Sequence, residues 1–164
     1  MSEQGKTYAA FVEAELKTER ERRTIYDTRG QAVVTTSAGL VTLLVALATL
    51  VRQGGPKAFP GAAIAPLVVA LVALAGAAAL GILASWNFRY AVVKSTTLGV
   101  MTGAHWTDHE VDARNVVATA QIRSFHSLRE ANNRKALLLT GALASQLLAL
   151  VALGAVVLVV VVAA

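Results

Sequence analysis

The chain has 164 residues, of which 55% are hydrophobic, 5% aromatic and 15% charged, a balance too apolar and too poor in charge for an ordinary soluble domain. The absence of cysteine excludes a disulfide framework, thiolate metal ligands and a cysteine nucleophile. The formal charge of +5 is accounted for by anionic headgroups at a membrane surface, without any nucleic-acid partner.

No Asp, Glu, Lys or Arg occurs between Arg29 and Arg52, between Lys57 and Arg89, or after Lys135, which leaves uncharged runs of 22, 31 and 29 residues. A bilayer core of about 30 Å needs ~20 apolar helical residues, so each run is long enough to cross it. The fold class expected is an all-α integral membrane protein with three transmembrane helices plus cytoplasmic amphipathic helices, its first partner being the lipid bilayer.

Residues 1–29 are expected to form a cytoplasmic N-terminal amphipathic helix. Within 6–27, Tyr8, Phe11, Val12 and Leu16 recur at helical spacing, and Glu13/Lys17 and Glu19/Arg23 have the favourable acid-first i, i+4 order. Six basic and six acidic residues balance across residues 1–29, favouring a helix-pairing face over a polybasic lipid-binding one. Residues 30–51 form transmembrane helix 1, a retained signal anchor, in which Thr35, Thr36, Ser37 and Thr42 offer hydroxyls for bonds between helices. Glycine and proline crowd residues 52–61 and predict an external turn. Transmembrane helix 2, residues 62–86, then returns antiparallel to the first.

Residues 87–135 are a cytoplasmic linker and helix. Ser95 to Ala104, with Gly99 and Gly103, reads as a linker or a short strand-like piece. Thr107-Asp-His-Glu110 has the pattern of a capping box, so a helix is expected from Asp108. Its apolar stripe is Val111, Ala118, Ile122 and Phe125. Neither proline nor glycine interrupts before Gly141, and the helix is expected to continue into transmembrane helix 3, residues 136–164.

Thirteen of the 15 Lys and Arg residues flank the spans on one side, and only Arg52 and Lys57 lie on the other. The positive-inside rule therefore places the N terminus and the 87–135 segment in the cytoplasm and the C terminus outside. Tyr26, and Trp86, Phe88 and Tyr90 around Arg89, fit as interfacial anchors at the inner ends of the spans.

The chain contains no phosphate loop, zinc-protease motif or serine elbow, so neither an enzyme nor a cofactor is expected. His105, His109 and Asp112, with Asp108 and Glu110 between them, have the residue types of a metal cluster. The acidic residues of that group equally suit the positive end of a helix. Asn132, Asn133 and Arg134 suit either a phosphate headgroup or a plain helix-to-membrane junction. The spans carry no ionisable residue, which argues against a pump, a proton-coupled carrier or a voltage sensor. They do carry small residues at four-residue spacing: Ala73, Ala77 and Gly81, with Ala75 and Ala79 beside them, and Gly141 and Ser145. Such spacing serves either an oligomer interface or packing within the chain.

The arrangement of a charged helix, a short acidic-basic step into span one, a tight hairpin, a second cytoplasmic helix and an Asn/Lys-flanked last span resembles the Pycsar effector family and the related SLATT domains, small bacterial membrane effectors of nucleotide-signalled antiviral systems. The residues that carry the resemblance are Asp27-Thr28-Arg29-Gly30 and Asn133-Arg134-Lys135-Ala136. The family typically shows Asp-x-Lys-Ala at the first position, where this chain has Arg29 and Gly30. The resemblance implies a homo-oligomer that perturbs the plasma (inner) membrane when a nucleotide second messenger, or a sensor protein that detects one, triggers it. Asp27, Arg29, Asn133 and Lys135 would be its family-motif positions. A non-enzymatic scaffold or accessory subunit, presenting its cytoplasmic helices to a partner, is the alternative.

Overall fold

The computed structural model describes residues 3–53, 60–103 and 105–163. It is all-helical: α1 runs Glu3–Gln53, a 3-10 turn Gly61–Ala63 leads into α2 (Ile64–Ser85), a short α3 covers Ser95–Thr102, and α4 runs Glu110–Ala163. No strand occurs among the described residues. Three of the helices, α1, α2 and α4, are long and apolar enough to cross a membrane.

Prolines explain where helices can run. None lies in α1 or α4, so both extend through 51 and 54 residues. Pro66 sits in the first turn of α2, where a missing N–H costs nothing because that group has no partner within the helix. Pro60 instead caps the 3-10 turn, its carbonyl accepting the Ala63 N–H at 2.9 Å. Of the expected external turn, residues 54–59 lie outside the described residues, while Arg52 and Gln53 still belong to α1.

Two local expectations are corrected. Ser95 to Thr102 is helical and not strand-like, with the Lys94 carbonyl accepting the N–H groups of Thr97 and Leu98 at 2.9 and 3.2 Å. The capping box at Thr107 does not form. Residues 105–107 are a turn held by His105 Nδ1 on Asp108 Oδ2 at 2.8 Å. The helix starts at Glu110, with the His109 carbonyl accepting Asp112 and Ala113. Glu110 pairs forward with Arg114 instead of reaching back to Thr107, because an i+4 guanidinium offers its carboxylate a charged partner.

The chain divides into two compact units, Met1–Ile25 with Asn87–Arg134, and Tyr26–Trp86 with Lys135–Ala164. In the first unit the buried face of α1 follows Ala9, Val12, Leu16, Glu19 and Arg23, and that of α4 follows Ala118, Gln121, Phe125, Leu128 and Asn132. Both alternate steps of three and four, the spacing of a coiled-coil seam. The expected stripe on α1 is split by this geometry: Leu16 is 4% exposed, whereas Tyr8 and Phe11 are 71% and 64% exposed. On α4, Val111 and Ile122 are exposed while Ala118 and Phe125 are half-buried.

The second unit holds the apolar core. One cluster joins Val33 of α1, Ala77 and Ala84 of α2, and Leu139 and Ala142 of α4. A second joins Ala73, Leu74 and Ala149, with Leu40, Val41 and Leu44 packed against them. Gly30 lies against Gly81 and Ser85, whereas Leu40 and Leu44 lie against Ala73 and Leu74, so α1 and α2 are antiparallel. The small face of α2, namely Ala70, Ala73, Ala77, Gly81 and Ala84, is buried within the chain.

Candidate functional site, a buried polar seam

Four polar side chains are buried in positions that an apolar seam would fill: Glu19, Ser37, Asn132 and Lys135. In lipid or in a helix core such groups are tolerated only when paired, so their partners define a candidate polar site within each unit, Glu19 and Asn132 in the first and Ser37 and Lys135 in the second.

In the first unit Asn132 Nδ2 donates to the Glu19 backbone carbonyl and to Glu19 Oε2, both at 2.8 Å. Glu19 is also paired with Arg22 at 2.9 Å, one turn along its own helix. A strap of non-helical chain after α2 completes this layer. Arg23 Nη2 donates to Asn87 Oδ1 at 2.9 Å, its guanidinium stacks 4.3 Å from the centre of the Tyr90 ring, and the Ala91 N–H donates to Ser127 Oγ at 2.9 Å. Stacked arginine on tyrosine gives a cation–π contact in addition to the hydrogen bond.

In the second unit the fully buried Lys135 forms an ion pair with Asp27. Further along, Gln146 Nε2 donates to the Val33 carbonyl at 3.1 Å and to Ser37 Oγ at 3.0 Å. Of the four hydroxyls expected to bond between helices, only Ser37 is placed across one. Thr35, Thr36 and Thr42 donate to carbonyls of α1 itself, those of Gln31, Ala32 and Ala38, which hides their polarity inside one helix.

The sequence-selected residues fall into separate places. Asp27 and Lys135 are brought together; Arg29 and Asn133 are exposed, and Asn132 next to Asn133 is the buried one. Arg134 pairs with Glu130 at 2.6 Å. Ala73, Ala77 and Gly81 line the interior of the second unit, while Gly141 and Ser145 are half-buried, a Cβ on Gly141 meeting Leu80 at 3.3 Å. Phe125 packs edge-on to His126 with ring centres 5.6 Å apart, and Arg129 lies 5.5 Å from its centroid. His105, His109 and Asp112 are not gathered into a metal-holding group, and no such group of three or more occurs among the described residues.

Glu19 and Gln146 are the seam residues the sequence reading did not select for this role. Their signal was the alternation of three and four that they share with their apolar neighbours.

Comparison with protein-family models, with curated proteins and with solved structures gives no match.

Proposed function

We propose that the protein is a non-enzymatic membrane effector that works through helix association. The observation supporting this reading is the continuity of α1 and α4: each is one helix with residues in both the charged unit and the apolar unit. A binding event among the charged helices therefore acts on the same backbone elements that pack in the bilayer. The absence of ionisable residues within the three uncharged runs leaves helix packing as the means of action.

The resemblance carried by Asp27 and Lys135 supplies the setting. In it the chain is a homo-oligomer of the inner membrane, N terminus cytoplasmic and C terminus external, which permeabilises that membrane when a nucleotide second messenger or its sensor protein engages the cytoplasmic helices. The test is expression in cells loaded with a potential-sensitive dye, with the candidate nucleotide supplied. Depolarisation by the wild type, lost in Gly81→Leu and Phe125→Ala, is the expected result. A wild-type protein that crosslinks only as a monomer and never depolarises the cells sinks the effector reading.

A scaffold is favoured by one specific observation, the exposed apolar side chains of the first unit. Tyr8, Phe11, Val92 and Trp106 all stand 64–75% exposed, as they would on a surface that a partner covers. Co-purification of one stoichiometric partner, abolished by Phe11→Ser and Trp106→Ser without depolarisation in any sample, would replace the effector by the scaffold.

A further inference from the structure

In the second unit α1 and α4 leave a groove of about 470 Å³, within the ~300–1,000 Å³ usual for ligand pockets. It runs from Tyr26 to Thr36 on one helix and from Ala136 to Gln146 on the other. That is about 15 Å of helical rise, half of a ~30 Å hydrocarbon core and so the depth of one leaflet.

Its polar side chains are nearly all engaged. Thr36 and Thr140 donate to the carbonyls of Ala32 and Ala136, Gln146 is bonded to Val33 and Ser37, and Tyr26 also has a partner. Arg29 is exposed and has no ion-pair or hydrogen-bond partner among the described residues. Val33, Leu139 and Leu143 give the groove an apolar floor. A second groove, lined by leucine, valine and alanine including Leu40, Leu67 and Val157, has no such charge and therefore nothing to select a headgroup.

We propose that the Arg29 groove binds an anionic phospholipid, the phosphate on the guanidinium and one acyl chain along Val33, Leu139 and Leu143. A planar guanidinium matches phosphate oxygens two at a time, and basic pockets between spans are suited to anionic headgroups. The apolar floor distinguishes a lipid from a free anion, since only the lipid has a chain to lay on it.

The test is native mass spectrometry of the full chain released from nanodiscs of mixed phosphatidylglycerol and phosphatidylcholine. Wild type should retain phosphatidylglycerol preferentially, Arg29→Gln should lose about five-fold of that preference, and Arg29→Lys should lose less. Thr36→Phe, which fills the groove without changing charge, should lower retention of both lipids. Glycerol phosphate added as competitor should have no effect. Equal retention of the two lipids by wild type overturns the proposal. So does full displacement by glycerol phosphate, which would make the site one for a free anion, or an equal loss in Arg20→Gln, which would make the preference one of general surface charge.

Discussion

Lys135 shows what a single buried side chain demands. Its ammonium is wholly buried, whereas its partner Asp27 keeps 28% of its side chain exposed, so desolvation falls mainly on the lysine. Removing one member of a buried pair is costly because the other charge is left behind, on the order of 3–5 kcal/mol when both are buried. Asp27→Asn, which leaves the wholly buried Lys135 ammonium without its counter-charge, should therefore destabilise the fold more than Lys135→Met, which leaves a carboxylate with access to water, and the double variant should recover part of the loss. Chemical unfolding in detergent micelles checks this, and strictly additive losses would show that the two groups do not act as a pair. Asn132→Ala leaves the Glu19 carboxylate with Arg22 alone, and a loss of about 1–3 kcal/mol is expected by the same assay. A silent Asn132→Ala would mean that its two hydrogen bonds are replaced by water. These residues were only half legible. Lys135 stood out as the charge bounding the last uncharged run and Asp27 as a position of the family resemblance, but nothing local in the sequence distinguishes buried Asn132 from exposed Asn133. That depends on which of two adjacent positions the coiled-coil spacing turns inward.

Among the elements, α2 depends most on backbone proximity. A Cβ on Gly81 would lie 2.9 Å from the Gly30 carbonyl oxygen, and one on Gly30 would lie 2.8 Å from that of Gly81. Both obstacles are backbone, which cannot rotate away. Gly81→Leu and even Gly30→Ala should therefore force α1 and α2 apart, lowering the melting temperature in detergent. Gly76→Ala, where a Cβ meets nothing within 4 Å, should be neutral or slightly stabilising through its better helix propensity. A melting temperature unchanged by Gly30→Ala would refute the close contact. At the start of α4, Thr107→Ala should leave amide exchange across Glu110 to Ala113 unchanged, because the cap carbonyl belongs to His109. A marked loss of protection would restore the capping box. The spans themselves were legible because absence of charge over more than twenty residues has few other causes. The seam in the first unit was not, since Glu19, Arg23 and Asn132 occupy places where a hydrophobic pattern is sought. Likewise Thr96, Thr97 and Gly99 hid the helicity of α3 by their poor propensity.

For the whole molecule, the distribution of Lys and Arg makes the strongest prediction. With 13 on one flank and two on the other, reporter fusions should place the N terminus in the cytoplasm and the C terminus outside. An active cytoplasmic reporter at the C terminus would refute that topology, because three spans cannot begin and end on the same side. The two charges of the Asp27–Lys135 pair lie 108 residues apart, and this separation has a consequence for biogenesis. At about 5–20 residues per second of synthesis, the carboxylate precedes its counter-ion by roughly 5 to 20 s. The hairpin of α1 and α2 is complete long before α4 arrives to supply Lys135, the Gln146 amide and the core residues Leu139 and Ala142. A nascent chain halted before Lys135 thus holds a finished hairpin whose Asp27 and Ser37 still await Lys135 and Gln146, so the polar groups of the first helix reach their final partners only when the last helix arrives.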